Sequence, residues 1–430
     1  MIVLAACAAA LVIAWHIWAV PYTDPVYGLF HNGIDTRVYR GGAVAVWDHM
    51  PLYDKPVYRV WQFTYPPFAA LLMFPLAGFS VHTAMTLWNI GNVVCLFLLV
   101  LVCMRGLAFR IDLRLVVFTV LVTIASTVLE PIHTTLWNGQ INIVLALIVV
   151  ADLVRRNSTL RGIGVGLAAG VKLTPIFYVA HLITTRRFRA AAVAVITFAA
   201  TIVLGIALLG GEGRRFWTEQ LTQTGRIGRL DAPANQTFRG YFARLATFDV
   251  AHPPSWLWLP IGLIVGILGL WAAHAAYRTG AGLLAVSITG MTSCAVGPFS
   301  WGHHWVWVLP LLLISVVHAV DTTRRREPLT WLWWLAPRGD HRADVHLLAV
   351  GGAADHRIRG QDDRRPRLRR VPRVLRIRDR RLAPAAAVDR RRRLSAASTR
   401  NHRGDARLGA PSRPSRCGSR HVDRGGVMSS

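Results

Sequence analysis

The sequence predicts an all-α, polytopic integral membrane bundle followed by a basic C-terminal tail. The 430-residue chain is 53% hydrophobic, yet its formal net charge is +27. These two properties occupy different parts of the chain, because the last apolar run ends near residue 335 and residues 331–430 contain 25 arginines without a single lysine. We therefore predict a membrane domain over residues 1–335 and a separate tail over residues 336–430.

Apolar stretches recur through the first domain at lengths suited to membrane helices. A hydrocarbon core about 30 Å thick requires roughly 20 apolar residues in a helix. The segments that predict crossings are 1–20, 82–104, 115–130, 141–154, 190–209, 256–275, 281–298 and 305–320. Residues 68–80 are shorter and contain Pro75, which favours a re-entrant or interfacial helix.

Residues 162–183 have two interpretations, a re-entrant hairpin or an ordinary crossing. The segment is rich in glycine and is interrupted by Lys172 and Pro175. Arginine clusters in short loops favour the cytoplasm, and all the clusters reach that side only if this segment leaves and returns on one face. We favour the hairpin, with residues 172–175 at its deepest point.

This topology gathers four chemically varied loops on the extracytoplasmic face of the membrane. They comprise residues 21–67, 131–140, 210–255 and 299–304. The cytoplasmic loops are short and basic. We therefore expect the functional site on the outer side, in a plasma-membrane protein.

Asp35, in the first outer loop, is the candidate catalytic residue. Partial burial raises the proton affinity of a carboxylate, so that it can act as a general base toward an alcohol. The alternative is an exposed acid paired with Arg37, an interaction of little energetic value. The aromatic residues and prolines of this loop indicate folded structure and so favour the catalytic role.

Lys172, His303 and His304 are candidates for binding an anion. A lysine within an apolar hairpin costs a few kcal/mol to insert unless it has a partner, which favours phosphate or carboxylate binding over snorkelling of its long side chain. Two adjacent imidazoles rarely chelate one ion, and the membrane interface explains only the tryptophans beside them. We therefore predict contact with a phosphate and no metal site.

Amide side chains suit a hydroxyl-rich ligand because each can both donate and accept hydrogen bonds. Gln140 and Asn142 form one such pair near a helix edge, whereas helix capping is sufficient to explain Asn138. The complete predicted substrate-binding set is Arg37, Tyr39, Tyr65, Gln140, Asn235 and Gln236.

The tail has a composition that cannot build a core. From Ala336 onward it contains no Phe, Tyr, Trp, Lys or Glu and is rich in Arg, Ala, Pro and Gly, which predicts disorder. A basic tail could bind anionic lipids or nucleic acid. We favour instead an out-of-frame translation of GC-rich coding DNA, and we expect no nucleic-acid partner.

Six short motifs occur along the first domain in a distinctive order. They are Gly33-Ile34-Asp35 through Val38-Tyr39, Pro51-Leu52-Tyr53, Phe63-Thr64-Tyr65-Pro66-Pro67, Asn138-Gly139-Gln140, Lys172-Leu173-Thr174-Pro175 and Ser300-Trp301-Gly302-His303-His304. In this order they resemble glycosyltransferase family 87, the actinobacterial membrane mannosyltransferases of the C-type glycosyltransferase fold. The resemblance covers about residues 20–325.

The resemblance implies transfer of mannose from polyprenyl-phosphate-mannose to a hydroxyl of a glycolipid or lipoglycan, with an α-1,2 linkage favoured. Phosphatidylinositol mannosides and lipomannan are the implied acceptors. Asp35 would deprotonate the acceptor hydroxyl, while Lys172, His303 and His304 would hold the donor phosphate. Inversion at the anomeric carbon, without a cofactor or an obligatory metal, is implied as well.

Three alternatives stay open at this point. A polytopic transporter or lipid flippase could use Lys172 and the broken helix as a midplane site, although the sequence lacks the inverted repeats typical of transporters. An inactive remnant is another possibility, because family members usually continue with further membrane helices where this chain turns into the tail. The donor could also carry another sugar, such as arabinose.

Overall fold

The structure is a computed structural model that describes residues 1–22, 24, 26–155, 159–245 and 255–325. The Arg-rich tail lies outside the described residues, so its disorder, its origin and the domain boundary near residue 335 stay predictions.

The described residues form a helical fold, as predicted. Two isolated β-bridges, Tyr58–Trp61 and Asn235–Trp301, are the extended pairings found within these residues. In the same part of the chain the α-helices are α1 (Ile2–Trp18), α2 (Ile34–Trp47), α3 (Pro67–Met73), α4 (Val81–Gly106), α5 (Leu113–Ala125), α6 (Glu130–Asn138), α7 (Asn142–Val154), α8 (Ile163–Val171), α9 (Phe177–Thr184), α10 (Phe188–Thr218), α11 (Phe238–Leu245), α12 (Ser255–Arg278), α13 (Gly282–Val296) and α14 (Val308–Arg324). Short 3-10 helices occupy Phe74–Gly78, Ser126–Val128, Thr174–Ile176, Gln220–Thr222, Thr224–Arg226 and Gly302–His304.

Three helices of the described residues, α4, α10 and α12, are long and apolar enough to cross a membrane. A fourth span results if Leu113–Val128 and Glu130–Asn138, which bend by 85° at their junction, are counted together. On α12, the side chains of Leu259, Leu263 and Ile267 are each at least half exposed. A helix whose large apolar side chains point away from the protein is suited to lipid, which agrees with a membrane protein.

The interior is formed by pairs of apolar helices. Helix α1 packs on α5, α4 on α7, α8 on α10, and α12 on α13. The glycines of α8 permit its close contact with α10, since a Cβ at Gly166 would lie 2.5 Å from the backbone oxygen of Ala194 and one at Gly170 would lie 2.3 Å from Thr201 Oγ1. Close packing thus accounts for the glycine-rich composition of residues 162–171.

The predicted interruption at Lys172 is present. Helix α8 ends at Val171, Lys172 is extended (φ −149°, ψ 130°), and the 3-10 turn Thr174–Ile176 leads into α9. The extended backbone of Lys172 ends α8, and Pro175, which has no N–H to donate, prevents α8 from continuing through this position. The re-entrant path across a membrane stays a prediction.

Two of the predicted loops contain more helix than the sequence reading assigned to them. Residues 34–47, within the first outer loop, form α2, so Asp35 lies in the first turn of a helix. Helix α10 continues past residue 209 to Thr218, across a non-helical residue at Gly210 (φ 55°, ψ −118°). Both segments carry polar residues that masked their helical periodicity. The pair Pro66-Pro67 marks the end of the first outer loop, since Pro67 is the first residue of α3.

Candidate active site

The four predicted outer loops meet the break at Lys172 around one cavity of about 950 Å³. This volume lies in the range of small-molecule sites. Apart from Tyr65, its titratable lining residues are Asp35, Glu130, Lys172, Arg226, His303 and His304. Apolar side chains complete the wall, among them Ile176, Phe177, Phe216, Val296 and Phe299. The cavity can therefore accommodate both a charged polar group and hydrocarbon.

Asp35 is held at the wall by contacts that fix the start of α2. Gly33, in the left-handed conformation, precedes the helix, and its N–H donates to Trp137 O at 2.8 Å. The nearest neighbour of a Cβ at Gly33 would be the flexible end of the Met85 side chain, so it is the left-handed backbone conformation that favours glycine here. One turn into α2, the Thr36 hydroxyl donates to Gly139 O at 3.3 Å. The Gly-Ile-Asp and Asn-Gly-Gln motifs thus support each other.

A chain of hydrogen bonds connects Asp35 to the centre of the cavity wall. The Tyr65 hydroxyl donates to Asp35 Oδ1 at 3.2 Å and accepts from the Gln140 amide at 3.4 Å. Gln140 Oε1 accepts from the Tyr39 hydroxyl at 3.1 Å and from Lys172 Nζ at 3.5 Å. Asp35, Tyr65, Gln140 and Lys172 therefore form one connected network.

Burial gives Asp35 the proton affinity expected of a general base. It raises the pKa of Asp35 to about 6, while the Lys172 charge and, more weakly, Gln140 and Tyr65 oppose the rise. Burial and the nearby Asp35 charge also raise the pKa of Tyr65, so its hydroxyl stays protonated and able to donate. The Asp35 carboxylate can thus be ionised at neutral pH and still take up a proton.

Lys172 is surrounded by neutral acceptors. Its Nζ donates to His304 Nε2 at 2.8 Å and to Asn142 Oδ1 at 2.9 Å. Among the residues that the structure describes, no carboxylate forms an ion pair with it. The ammonium group therefore retains a positive charge that an anion in the cavity can neutralise.

The two histidines provide further polar atoms at the same wall. Burial first, and the Lys172 charge second, lower the pKa of His303 and of His304, so both rings are neutral near pH 7. Because His304 Nε2 accepts from Lys172, its proton lies on Nδ1. His303 Nε2 and His304 Nδ1 are buried without a hydrogen-bond partner. The hydrogen-bonding capacity of these two ring nitrogens is therefore unused within the described part of the protein.

Several of the predicted substrate-binding residues do not line the cavity. The Arg37 guanidinium lies 5.5 Å from the centre of the Tyr58 ring, and the Asp35–Arg37 ion pair considered above is not formed. Tyr39 stands behind Gln140, as described above, and is fully buried. Gln236 is exposed and donates to Pro233 O.

Asn235, another predicted substrate-binding residue, is hydrogen-bonded within the protein. It is buried, donates to Leu230 O at 2.9 Å, and accepts from the Ser300 N–H at 3.2 Å. The Gln236 N–H also donates to Ser300 O at 2.7 Å. This segment therefore holds the start of the Ser300–His304 motif in place, which is a positioning contact.

Two sets of residues that line the cavity were not predicted from the sequence. Glu130, Thr134 and Trp137 line the cavity from one face of α6, at helical spacing. Gln62 and Arg226 line it from segments far apart in the chain. An acid immediately after an apolar run was the available signal for Glu130. No local pattern marked Arg226.

Within the described residues, no group of three or more His, Cys, Asp or Glu side chains is arranged to hold a metal ion. The polar groups of the cavity are instead suited to hydrogen bonding and to binding an anion.

Comparison with known proteins places the chain among membrane-lipid glycosyltransferases. The model of glycosyltransferase family 87 matches residues 63–298. A polyprenol-phosphate-mannose-dependent alpha-(1-2)-phosphatidylinositol pentamannoside mannosyltransferase from Mycolicibacterium smegmatis is 33% identical over 310 residues, 70% of this chain and 74% of the relative. A corresponding phosphatidylinositol mannoside mannosyltransferase from Mycobacterium tuberculosis is 33% identical over 316 residues, 70% of this chain and 73% of the relative.

No solved structure matches the chain significantly. Family assignment therefore depends on the sequence matches, which span more than half of the chain, and the resemblance based on the six motifs is confirmed. The chain belongs to glycosyltransferase family 87 and is a membrane glycosyltransferase.

Proposed function

We propose that this protein transfers mannose from a polyprenyl-phosphate-mannose donor to a hydroxyl of a phosphatidylinositol mannoside, forming an α-1,2 linkage. The relatives named above use that donor and that class of acceptor. One observation carries the proposal for this chain: Asp35 and Lys172, an acid and a cation that are each partly buried and form no ion pair with the described residues, face one cavity and belong to one hydrogen-bonded network.

The proposed chemistry assigns opposite tasks to the two ends of this network. Asp35 takes the proton of the acceptor hydroxyl as its oxygen attacks the anomeric carbon. The bond between that carbon and the phosphate oxygen breaks, and polyprenyl phosphate leaves with the bonding electrons. Lys172 and the buried imidazoles of His303 and His304 stabilise the charge that develops on the phosphate. A single displacement of this kind inverts the anomeric centre.

The neutral members of the network act by positioning these groups. Tyr65 and Gln140 hold Asp35 and Lys172 in a fixed relation, and Tyr39 orients Gln140. Asn235 has the corresponding role for the segment that carries the histidines. Such preorganisation reduces the rearrangement needed in the transition state.

The proposed location is the plasma membrane, with the cavity on the extracytoplasmic side. The support comes from the arginine-rich short loops, which favour the cytoplasm, and from the cavity being lined by the four loops assigned to the opposite face. Single cysteines introduced at exposed Asp48 and exposed Arg278 provide the test. A membrane-impermeant thiol reagent should label the first in intact cells and the second only after lysis.

Membranes containing the full chain and supplied with labelled polyprenyl-phosphate-mannose test the function. Transfer of label to phosphatidylinositol mannosides supports the proposal, and its loss in Asp35→Asn supports the assigned base. Asp48→Asn, at the opposite end of α2, is the matched control because it removes an exposed carboxylate from the same helix. Failure of the wild-type chain to transfer any sugar would favour the inactive-remnant alternative.

A further inference from the structure

A second cation, Arg226, lines the cavity outside the network that contains Lys172. Its Nε donates to Gln62 Oε1, and its Nη2 donates to Tyr53 O at 3.2 Å and Phe63 O at 3.3 Å. The guanidinium also lies 5.7 Å from the centre of the Tyr53 ring. Nη1 has no hydrogen-bond partner among the described residues. The guanidinium of Arg226 is therefore fixed by three hydrogen bonds from Nε and Nη2, while its Nη1 group remains available to a ligand.

The positive charge of Arg226 is not neutralised by the surrounding protein. In the part of the chain that the structure describes, no carboxylate lies within ion-pair distance of it. Acids are present nearby, but Arg215 pairs with Asp54 and Glu219. A half-buried guanidinium with only neutral partners attracts an anion strongly, because the surrounding medium screens it less than bulk water does.

The proposed reaction brings two phosphates to this cavity. The donor phosphate is bonded directly to the anomeric carbon that reacts, so it must lie beside the network of Asp35 and Lys172. The phosphodiester of a phosphatidylinositol mannoside is separated from the reacting hydroxyl by its sugars, so it cannot occupy the same place as the donor phosphate. Arg226 shares none of its hydrogen-bond partners with Lys172.

We propose that Arg226 is a second anion subsite, which binds the phosphodiester of the glycophospholipid acceptor while Lys172 binds the donor phosphate. This inference rests on the proposed function. The planar guanidinium suits a phosphodiester, which offers two oxygens to its donors. The enzyme would thereby select acceptors that carry both a terminal sugar and a phosphate.

The test compares two acceptors with the purified full-length protein at saturating polyprenyl-phosphate-mannose. One acceptor is a phosphatidylinositol mannoside, and the other is an alkyl mannoside, which lacks phosphate. In Arg226→Gln we expect KM for the first to rise about tenfold or more, the effect of losing a charge-assisted hydrogen bond. We expect KM for the alkyl mannoside and for the donor to change less than about twofold.

Two further variants separate binding from folding. Arg226→Lys keeps the charge but not the fork, and its KM for the phosphate-bearing acceptor should lie between those of the wild type and Arg226→Gln. Arg214→Gln, which removes an exposed arginine from the end of α10, should leave both acceptors unaffected. If Arg226→Gln does not fold, phosphatidylinositol without mannose should still inhibit Arg226→Lys more weakly than the wild type.

The outcomes are distinguishable. Equal losses with both acceptors, an altered donor KM, or no change with either acceptor would overturn the assignment of Arg226. If the wild-type protein transferred mannose to neither acceptor, the proposed function itself would fail.

Discussion

The two cations of the cavity are held in similar ways but belong to different networks. Lys172 is bound by side chains, namely Asn142, His304 and Gln140, and through Gln140 it is connected to Asp35. Arg226 is bound mainly by backbone carbonyl oxygens, and none of its three hydrogen-bond partners, Gln62, Tyr53 and Phe63, is hydrogen-bonded directly to Asp35 or Lys172. The comparison teaches that a cation can share a cavity with the base and still be electrostatically separate from it. Substitutions at Lys172 should therefore affect the chemistry, whereas those at Arg226 should affect binding.

Asp35→Asn should cause the largest loss, because it removes the base itself. The turnover number should fall on the order of 10²–10⁴-fold, the usual contribution of general-base catalysis. Mannose transfer from labelled donor in membranes measures this. Glu130→Gln, which removes the other carboxylate that lines the cavity, is an informative comparison. If it abolished turnover while Asp35→Asn did not, the roles of the two acids would have to be exchanged.

Lys172→Met should give the next largest effect and should sharpen the contrast with Arg226. Loss of a preorganised group that stabilises developing charge costs on the order of 10²-fold in turnover. Since the Lys172 charge lowers the pKa of Asp35, its removal should also move the acidic limb of the pH profile to higher pH. In Arg226→Gln the acidic limb of the pH profile should not move. A limb shifted equally in both variants would show that the two cations are not separate.

The long lipid-facing elements were predictable because their composition is set by the solvent. The predicted crossing at 82–104 corresponds to α4 at Val81–Gly106, and the apolar content of this segment was sufficient to predict it. Helix α2 was missed because it packs against protein and carries a mixture of Asp35, Arg37, small and apolar residues. Its helical state is stabilised by tertiary contacts, which local sequence does not display.

The residues of the candidate site likewise fall into two groups, those that the local sequence marks and those that only the tertiary structure reveals. Asp35, Lys172 and His304 lie in short motifs whose unusual polarity within apolar surroundings marks them directly. Arg226 depends on Tyr53 and Phe63, more than 160 residues earlier in the chain. Only the folded structure shows that this arginine, one of many in a basic sequence, lines the cavity and has no acidic partner among the residues described.

The wild-type pH profile should show the buried acid. With a pKa of about 6 for Asp35 in the free protein, kcat/KM should fall about tenfold for each pH unit below that value, because only the ionised carboxylate accepts a proton. Measurement of kcat/KM for the acceptor from pH 4.5 to 8 checks this, since that ratio reports the pKa of the free enzyme. A profile that stays flat down to pH 4.5 would contradict the assignment of Asp35 as the base.

Tyr65→Phe should have a smaller effect, about tenfold or less on turnover, because it removes one hydrogen bond to Asp35 and leaves the base present. That hydrogen bond lowers the pKa of Asp35, so the acidic limb should also move upward. Tyr27→Phe, on an exposed side chain, is the matched control. An unchanged limb would indicate that Tyr65 does not contact the base during turnover.

The smallest expected effect concerns stability and has the opposite sign to the effect on activity. Burial raises the pKa of Asp35 from 3.8 to about 6, so ionising this group in the folded state is unfavourable. Its favourable contribution is fully present below about pH 4 and is lost as the pH rises through about 6. Asp35→Asn has no carboxylate to ionise and avoids this loss of stability. The Tm of Asp35→Asn minus that of the wild type should therefore be a few degrees larger at pH 7.5 than at pH 4.

Asp48→Asn is the control, and its Tm difference from the wild type should be the same at both pH values. Thermal unfolding in one detergent at both pH values measures these differences, and a constant difference for Asp35→Asn would mean that Asp35 is solvated in the folded protein and is not the buried base described here.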